Sequence, residues 1–478
     1  MEKYMKNNQL KLAVAGAVLA LGSTAANAGI IIPAGDWTVD LSGNINTFYS
    51  NTNYSGALES STLTAATPAG TIVTTTTSGA GGTANTVTAT TNTATTASLG
   101  ARTAGAPLTS SANQVSTGLL PSAIGIGAKT RQNDLDVAIQ TTFFVGANAS
   151  GAGTGAFNSG NGLNSINVRQ AFLSFGDKSW GTIKMGRDLG VFGSDAILSD
   201  MTLLGVGTGA GGAGNSTLGR IGSGYLYADW NGQIQYQSPN FNGFQVTGAI
   251  KEPVLNSANH NLGYDGKATF DFASNGVDGR IWVGGIYQKV STAAVAGSTA
   301  TTVTTTGLTN VSSTTIVSTR VTAATAAYTK DARAVEAGAK INFAGLGLVG
   351  YYYDGQNIGS STVASASPYS GLMISNSGSA DQDVKGGYVQ ASYKLPVGTK
   401  IGASWGQSEI KANADTLAAM GSSADYKNES WVVGAYHPLT KHLNLVAEYT
   451  DTKYENISNF NGYNGNARTA ALGAILFF

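Results

Sequence analysis

The sequence predicts an all-β fold, a 16-stranded antiparallel transmembrane β-barrel with short periplasmic turns and long external loops. Three observations predict this fold. Hydrophobic and polar residues alternate with a period of two in many segments, short and long links alternate between those segments, and charged residues make up only 11% of the chain. The alternation indicates strands, the links indicate the two ends of a barrel, and the low charge fits a lipid-facing surface.

The composition excludes several classes of protein. The 478 residues include 64 Gly, no Cys, and 27 Lys and Arg against 27 Asp and Glu. Soluble domains carry about 25% charged residues, so an ordinary soluble surface is excluded. A chain with 9% aromatic residues is too apolar to be disordered. The balanced charge, without any basic stretch, offers no footprint for nucleic acid, and the missing Cys excludes disulfides and Cys-ligated metals.

The first residues have the features of an export signal. Lysines precede an apolar run from Leu12 to Leu21, and a small-x-small cleavage site ends at Ala28. We therefore predict a signal peptide over residues 1–28 and a mature chain over residues 29–478. The mature chain has no stretch of roughly 20 apolar residues that would form a membrane helix. If it lies in a membrane, it crosses as strands.

The alternation is clearest in residues 36–50. Hydrophobic residues of one parity alternate there with polar residues of the other: Trp37, Val39, Leu41 and Ile45 against Asp36, Thr38, Asp40 and Asn44. Successive residues of a strand point to opposite faces of its sheet, so the pattern indicates one apolar and one polar face. The same pattern recurs in residues 135–145, 244–251 and 443–450.

Sixteen strands are predicted from these patterns. Their ranges are 36–49, 121–131, 135–147, 165–176, 181–187, 231–239, 243–252, 264–273, 279–290, 333–343, 346–354, 384–394, 399–411, 428–437, 442–454 and 467–478. Seven links are tight turns, and the others are longer, up to 50–120, 188–230 and 291–332. A seventeenth segment, 321–330, is rejected because it would place a long link on the turn side. Lipid requires the sheet to close, and sixteen strands enclose an aqueous channel.

The mature chain resembles the Gram-negative general porin family over essentially its whole length. The most specific stretch is 167–206, with Asn-Val-Arg-Gln-Ala-Phe-Leu-Ser-Phe-Gly from residue 167 and Trp-Gly-Thr-Ile-Lys-Met-Gly-Arg-Asp from residue 180. A second stretch runs from Tyr236 to Phe244, and a third is the apolar end from Leu472 to Phe478.

The resemblance implies a passive channel in the outer membrane of a Gram-negative bacterium. It implies a homotrimer whose third loop, here residues 188–230, folds into each barrel as a constriction. The partners it implies are outer-membrane lipids, ions and small hydrophilic solutes. It also implies that Phe478 is the C-terminal assembly signal for the barrel-assembly machinery. The alternative is that Phe478 is simply an apolar residue of the last strand.

The resemblance assigns the pore constriction to four residues of this chain: Arg169, Lys184, Asp188 and Asp200. Arg169 matches a wall arginine, and strand parity places it on the face of Ala171, opposite Phe172. Its alternative role is to pair with a neighbouring carboxylate and stiffen the wall. Lys184 lies on the polar parity of the next strand, and Asp200 matches an acidic residue of the third loop.

The chain departs from the family pattern at this constriction. Ala123 stands where the family has an arginine, and Asp229 or Trp230 stands where it has another. The loop segment from Leu203 to Gly207 has no carboxylate. The mature chain has 24 basic and 26 acidic residues, because the signal peptide removes three Lys and one Glu. We therefore predict weak or no ion selectivity, slightly in favour of cations.

Two external links are low in complexity. Residues 60–100 and 291–319 consist mostly of Thr, Ala, Val, Ser and Gly. Such tracts are typical of mobile loops, although Thr and Val also favour strands and allow short hairpins above the barrel. The alternatives are that these loops adhere to surfaces, cap the mouth or clasp a neighbouring subunit.

No cofactor, metal site or catalytic site is predicted. The segment from Gly207 to Gly212 matches a dinucleotide fingerprint in spacing only, because no βαβ unit follows it. The three His residues have no metal-ligand spacing, and Ser430, His437 and Asp451 are too common as residue types to indicate a triad. The function predicted is passive diffusion. The alternatives are a barrel that displays Thr-rich loops for adhesion or assembly, and a substrate-specific channel.

Overall fold

The computed structural model describes most of residues 29–478. The described residues are 29–56, 64–66, 70–76, 87–93, 96–98, 111–146, 166–208, 216–252, 261–292, 294, 298–308, 311–322, 327–358, 381–411, 425–455 and 465–478. The predicted signal peptide lies outside the described residues, and so does most of the dinucleotide-like segment.

The described residues form 24 strands and two short helical segments. The strands are β1 (Ile30–Ala34), β2 (Trp37–Gly56), β3 (Thr64–Ala66), β4 (Gly70–Thr76), β5 (Val87–Thr93), β6 (Thr96–Ser98), β7 (Ser111–Ser116), β8 (Ser122–Gln132), β9 (Leu135–Val145), β10 (Asn167–Asp177), β11 (Gly181–Leu189), β12 (Trp230–Gln237), β13 (Phe244–Lys251), β14 (Gly263–Ser274), β15 (Val277–Thr292), β16 (Ser298–Leu308), β17 (Val311–Thr322), β18 (Tyr328–Phe343), β19 (Leu346–Gln356), β20 (Asp383–Lys394), β21 (Lys400–Ile410), β22 (Tyr426–Pro438), β23 (Leu443–Glu455) and β24 (Gly465–Phe477). The helical segments are α1 (Ser194–Ser199) and a 3₁₀ helix (Met201–Leu204).

Sixteen antiparallel strands close into a barrel, which confirms the predicted fold. β2 is the first barrel strand, β7 and β8 share the second position, and β9–β15 and β18–β24 follow in chain order. Closure joins β2 to β24, from Asn44 opposite Phe477 to Gly56 opposite Gly465. Each barrel strand therefore has two neighbours, and no open edge is left with unpaired backbone groups in lipid.

The long links between barrel strands contain hairpins of their own. β3 pairs with β6, and β4 with β5, within the link between β2 and β7. β16 pairs with β17 within the link between β15 and β18. The rejected seventeenth segment, 321–330, is not a separate strand of the barrel. It covers the end of β17, which pairs with β16, and the start of β18, which belongs to the barrel. The high content of Thr and Val accounts for strands in these links.

The two faces of the barrel differ as the alternation predicts. The outward side chains are large, apolar and exposed, for example Ile126, Ile139, Leu173, Ile234 and Val433. The inward side chains are buried and largely polar, for example Asn46, Thr142, Gln170, Gln233 and Gln390. Exposed aromatic residues lie towards both ends of the strands, as in an interfacial girdle: Trp180, Phe241 and Phe343 beside the turns, and Tyr264, Tyr352 and Trp431 towards the loops.

The tight turns use the backbone conformation that a two-residue hairpin requires. Asn275 and Gly276, between β14 and β15, both have positive φ angles, 51° and 79°. That pair of angles is typical of a type I′ turn, whose twist matches the twist of the two strands and for which Asn-Gly is the preferred sequence. The register of β14 and β15 therefore follows from the local sequence.

The second barrel strand is interrupted between β7 and β8. Ser116 of β7 lies opposite Phe48 of β2, and Ala123 of β8 lies opposite Asn44 of β2. The stretch from Ser116 to Ala123 is longer than the stretch from Asn44 to Phe48 that it faces, so it contains extra residues. The extra residues, 117–121, leave the wall and enter the barrel, and we call them the inward segment. The predicted strand 121–131 thus corresponds to β8, and β7 extends the wall beyond it.

The helical part of the described chain is small. Neither helical segment is long and apolar enough to cross a membrane.

Candidate functional site

The third loop, between β11 and β12, lies inside the barrel. Its outgoing half, residues 190–208, contains α1 and the 3₁₀ helix, and its return half comprises residues 216–229. Nearly all described side chains of both halves are buried. The loop therefore occupies the lumen, as the resemblance implies.

Inward-facing carboxylates of the wall hold the two ends of the outgoing half. Near its start, the Gly193 N–H donates to the two carboxylate oxygens of Glu336 at 3.1 and 3.0 Å. Near its end, the Val206 and Gly207 N–H groups donate to Glu448 Oε2 at 2.7 and 2.8 Å. Hydrogen bonds to charged acceptors are the stronger kind, so Glu336 and Glu448 fix the course of the loop.

Buried tyrosines complete these attachments. The Tyr351 hydroxyl donates to Glu336 at 2.8 Å, and the Tyr436 hydroxyl donates to Glu448 at 2.5 Å. A third, Tyr388, donates to the Ala196 carbonyl in α1 at 2.7 Å. The wall and the loop are therefore linked at three points, by Glu336, Glu448 and Tyr388, whose side chains are all buried.

The return half attaches to β21 and β22. The Arg220 guanidinium donates to the Ser430 carbonyl and hydroxyl, each at 3.1 Å. The Gly224 N–H donates to the Ser408 hydroxyl at 3.1 Å, and the Asn428 amide donates to the Gly222 carbonyl at 3.0 Å. Burial lowers the pKa of Arg220, and the nearby Asp200 charge opposes that effect. The return half thus lies on the same wall as the outgoing half.

The inward segment meets the end of the outgoing half. The Asn46 side chain, 2% exposed, donates to the Leu120 carbonyl at 2.8 Å and accepts from the Gly118 N–H at 3.0 Å, which bends the segment inwards. The Leu119 N–H donates to the Gly205 carbonyl at 2.8 Å. The inward segment and the end of the outgoing half therefore join side by side inside the part of the wall that runs from β8 through β2 and β24 to β23.

These pieces share an apolar cluster inside the barrel. Its members include Leu119, Leu120, Phe144, Phe192, Ile197, Met201, Leu203, Val206, Leu218 and Leu226. Barrels of sixteen strands do not need a packed core, so this cluster exists to hold the loop.

The carboxylates of the outgoing half point away from the opening. Asp195 forms ion pairs with Lys267 at 2.5 Å and Arg280 at 2.9 Å on the wall. Burial opposes ionisation of Asp195, but these two cations outweigh it and hold its pKa below the ordinary value. Asp200 accepts from the Thr202 N–H at 3.0 Å and from the Tyr225 hydroxyl at 2.8 Å. Both acids therefore shape the loop.

The accessible edge of the outgoing half is nearly uncharged. Leu198, Ser199 and Leu204 are half-buried, whereas the neighbouring loop side chains are buried. Among the described residues of the whole loop, Asp229, beside β12, is the carboxylate that keeps some exposure. The loop thus presents leucine and serine where the family resemblance implies acids.

Arg169 lies on a β-bulge and not on regular strand parity. The pairing of β10 with β9 shifts between Val168 and Gln170. In consequence Ala171 is exposed on the outside and Phe172 is buried inside, so the expectation that Arg169 shares a face with Ala171 is wrong. Arg169 is 6% exposed and lies over the Phe144 ring at 4.9 Å from its centroid.

Lys184 and Asp188 lie together on the inner wall. They form an ion pair, and the Gln170 amide donates to Asp188 Oδ1 at 2.9 Å. Lys184 also stands over the Phe172 ring, 5.2 Å from its centroid. The parity predicted for Lys184 agrees with this inward position. The structure thus brings Lys184 and Asp188 together, and it places Asp200 inside the loop.

Sequence reasoning missed the residues that anchor the loop. Glu336 and Glu448 are the single carboxylates on the inward parity of β18 and β23, respectively. A lone acid at such a position was the available signal, because a buried carboxylate needs donors close by. Lys340 and Lys400 were also missed, and in the described residues neither has an ion pair, although Lys400 lies over the Tyr436 ring.

The last residue closes the barrel seam. Phe478 exchanges two backbone hydrogen bonds with Gly43, at 2.8 and 3.1 Å. No group of three His, Cys, Asp or Glu residues that could hold a metal ion occurs within the described ranges.

A closed sixteen-stranded barrel with its third loop in the lumen is the architecture of a porin. A family model described as Gram-negative porin matches residues 13–457. The chain belongs to the Gram-negative porin family. This porin is therefore a β-barrel of the outer membrane that forms a channel for passive diffusion of solutes.

Solved structures show the same fold at low sequence identity. The anion-selective porin from Comamonas acidovorans is 14% identical, with 92% of this chain and 100% of that chain covered and a TM-score of 0.51. The outer membrane channel DcaP of Acinetobacter baumannii is 11% identical, with 93% and 99% covered and a TM-score of 0.51. In-vitro folded OmpT, an outer membrane protein of Vibrio cholerae, is 13% identical, with 94% and 99% covered and a TM-score of 0.50. No curated protein sequence matches this porin.

Proposed function

We propose that this porin passes ions and small hydrophilic solutes with weak ion selectivity and catalyses no reaction. Arg169, Lys184 and Asp188 lie beside the constriction in this proposal, and Asp200 shapes the loop that forms it. The observation that carries the proposal is the direction of the loop acids. Asp195 binds wall cations and Asp200 binds loop groups, so neither presents an open charge to a passing ion.

The expected selectivity is small because the loop acids are directed to the wall and to loop groups and not to the opening. An unscreened charge pair at 4 Å in water is worth about 1 kcal/mol, which corresponds to about fivefold in permeability. We expect the permeability ratio of potassium to chloride to lie within about fivefold of unity. Reversal potentials of the purified porin in planar bilayers, under a tenfold gradient of potassium chloride, measure this ratio. A strongly anion-selective or cation-selective potential contradicts the proposal.

A homotrimer is part of the proposal, and a polar strip on the outer face supports it. On β2 and β7, the Tyr49 hydroxyl and the Asn51 amide donate to the Asn113 side chain at 2.8 and 2.9 Å, and Asn53 donates to Asn51 at 3.0 Å. Amides facing hydrocarbon lose hydrogen bonds with water, which is costly. A neighbouring subunit over this strip removes that cost.

The oligomeric state is directly measurable. We expect the detergent-solubilised porin to have three times the protomer mass in light scattering, and conductance steps in bilayers to occur in groups of three. The variant Asn113→Leu keeps the size of the side chain and removes the acceptor, so it weakens the trimer if the strip is an interface. An unchanged trimer in that variant places the interface elsewhere.

Export and assembly complete the proposal. Residues 1–28 are removed as a signal peptide, and the barrel-assembly machinery reads Phe478. Mass spectrometry of the mature protein tests the first point, with Gly29 as the expected first residue. For the second, Phe478→Ala lowers the amount of porin in the outer membrane without lowering its synthesis. Equal outer-membrane levels contradict a role of Phe478 as a signal.

Display of the Thr-rich links is a second candidate function, and the hairpins favour it. β4 and β5, and likewise β16 and β17, form hairpins within the long links at the loop end of the barrel. Deleting residues 298–322 tests this candidate. Loss of cell adhesion with unchanged single-channel conductance supports display, and unchanged adhesion excludes it.

A further inference from the structure

A groove lies on the outer face of the barrel, near the loop ends of β14, β15, β18 and β19. Its volume is about 640 Å³, and its lining includes Tyr264, Gly266, Gly285, Tyr287 and Val335. The two tyrosines are 50% and 40% exposed, and Val335 is 64% exposed. A volume of this size is within the range of ligand sites. The groove is therefore large enough for a ligand, although it lies outside the channel.

Two glycines form the floor of the groove. Gly266 lies opposite Gly285, and neither has a positive φ angle. A Cβ on Gly266 would have no described heavy atom within 4 Å, and a Cβ on Gly285 would make one ordinary contact, with the Ala334 carbonyl oxygen at 3.6 Å. Larger residues would therefore fit at both positions. Because glycine weakens a strand and often marks a close approach by a ligand, we infer that the bare backbone here serves an occupant.

The end of the groove on β18–β20 is charged and polar. It is lined by Arg333, Asp354, Gln356 and Asp383. The Arg333 guanidinium donates to Gln356 Oε1 at 3.3 Å, and the Gln356 amide donates to Asp383 Oδ1 at 3.0 Å. An arginine has five N–H donors and a carboxylate accepts about four hydrogen bonds. One guanidinium and two carboxylates at this end thus keep the capacity to bind further groups.

The neighbouring strands treat their outward charges differently. At the loop ends of β21–β24, Lys411 forms ion pairs with Glu409 at 2.5 Å and Asp425 at 2.6 Å, and Arg468 forms one with Asp451 at 3.0 Å. Within the described ranges, the charged residues that line the groove form no ion pair with one another or with these neighbours. The groove is therefore the part of this outer surface where charges of both signs await a partner.

The position of the groove indicates what that partner is. Round the barrel, β15 lies as many strands from β2 in one direction as in the other. A neighbouring subunit covers the polar strip on β2 and β7 in the proposed trimer, so the groove on the far side faces lipid. An acyl chain suits the tyrosines and the glycine floor, and a headgroup suits the charged end.

We propose that the groove binds a lipid whose headgroup joins a phosphate to a primary ammonium group. The phosphate lies at Arg333, because a guanidinium binds phosphate through parallel hydrogen bonds. The ammonium lies at Asp354 and Asp383, and an acyl chain lies over Gly266 and Gly285. This inference rests on the trimer of the proposed function for the side that faces lipid, and it adds a lipid site that passive diffusion does not require.

The first experiment compares three lipids with identical acyl chains. Native mass spectrometry of the detergent-purified porin measures the binding of phosphatidylethanolamine, phosphatidylglycerol and phosphatidylcholine. Phosphatidylglycerol lacks the cation, and the quaternary ammonium of phosphatidylcholine has no N–H to donate to a carboxylate. We therefore expect phosphatidylethanolamine to bind about tenfold more tightly than either of the others. Equal binding of the three lipids overturns the inference.

A second experiment fills the floor of the groove. Gly285→Leu should weaken the binding of phosphatidylethanolamine about tenfold or more, because the new side chain occupies the place of the acyl chain. Gly350→Leu is the matched control. Gly350 is another outward glycine whose Cβ would have no described heavy atom within 4 Å, but it does not line the groove. Equal losses in the two variants would contradict a site at the groove.

A third experiment separates the two halves of the headgroup. Asp354→Asn combined with Asp383→Asn should abolish the preference for phosphatidylethanolamine over phosphatidylglycerol, whereas Arg333→Gln should weaken the binding of both lipids. Arg468→Gln is the control, since it removes an outward cation that already has an ion pair. If Gly285→Leu fails to fold, these exposed substitutions still decide. Unchanged lipid preference in the double variant overturns the assignment of the carboxylates.

The outcomes distinguish this inference from the proposed function. A porin that conducts in planar bilayers but binds the three lipids equally contradicts the lipid site and keeps the channel. Selective lipid binding without conductance contradicts the channel and keeps the lipid site. A change of oligomeric mass in Gly285→Leu, measured by light scattering, would show that another subunit occupies the groove, and it would overturn the lipid as occupant.

Discussion

The two ends of the outgoing half of the third loop are held in different ways. At its start, Glu336 accepts the Gly193 N–H, and Asp195 adds ion pairs with Lys267 and Arg280. At its end, Glu448 accepts two loop N–H groups and has no ion pair in the described residues. The start is thus held by several charged side chains of the wall, whereas the end has one carboxylate and the neutral hydrogen bonds of Gly205 with Leu119 and of Thr208 with Thr452. One loop therefore combines a redundant charged anchor and a single charged anchor.

Removing the single anchor has the largest expected effect. In Glu448→Ala, two loop N–H groups and the Tyr436 hydroxyl lose their acceptor, which we expect to cost about 3–5 kcal/mol of folding free energy. The released end no longer crosses the lumen in one position, so single-channel currents become larger and noisier. Urea unfolding in detergent and bilayer recordings measure the two effects.

The matched variant at the other end is Glu336→Ala. It removes an anchor of the same chemistry, but the ion pairs of Asp195 still hold the start of the loop. We expect a smaller change in current noise than in Glu448→Ala. A larger increase in current noise in Glu336→Ala than in Glu448→Ala would show that the start of the loop, and not its end, depends on a single charged anchor.

The ion pairs at the start of the loop predict an intermediate loss of folding free energy on substitution of Asp195, and this loss depends on salt and pH. Asp195→Asn should cost roughly 2–3 kcal/mol, less at high salt, because Arg280 is partly exposed and screening weakens the pairs. The pKa of Asp195 is held below its ordinary value. Its contribution to stability is therefore full above about pH 4 and is lost as the pH falls further.

The measurement is the difference in unfolding free energy between the wild type and Asp195→Asn at several pH values and salt concentrations. The difference should shrink towards zero in acid. A difference that stays constant from neutral pH down to strongly acidic conditions would show that packing, not charge, holds the start of the loop.

Substitution of the tyrosines that bind the anchor carboxylates has the smallest expected effect on stability. Tyr436→Phe and Tyr351→Phe each remove one hydrogen bond to an anchor carboxylate, at a cost of about 1–2 kcal/mol. Tyr436→Phe should disturb the channel more, because Glu448 has no second charged anchor beside it in the described residues. Thermal unfolding and current noise compare the pair, and a larger disturbance in Tyr351→Phe would argue against the difference between the ends.

The barrel could be predicted from sequence because the signals that specify each strand and each turn lie in neighbouring residues. Period-two alternation marks each strand, and turn residues such as Asn275 and Gly276 fix the register of the strands that they join. The position of the third loop also followed from the resemblance of residues 167–206. These signals lie within a few residues of one another along the chain.

The details of the constriction could not be predicted, because they depend on distant contacts. A bulge at Arg169 changes which side chains of β10 point inwards, and alternation counted along the strand does not show it. The inward segment reads as an ordinary link, and its bend depends on Asn46 across the sheet. Whether a loop acid such as Asp195 faces the opening or the wall depends on the cations that the wall brings to it.

The seam between β2 and β24 has a consequence for the order of assembly. The residues that close the ring, such as Asn44 and Phe477, come from nearly opposite ends of the sequence. A chain that is still being exported can form hairpins between neighbouring strands, but its first strand has no final partner. Until the last strand arrives, the sheet keeps two free edges that would pair with other chains. The newly exported porin therefore needs protection from aggregation during this interval.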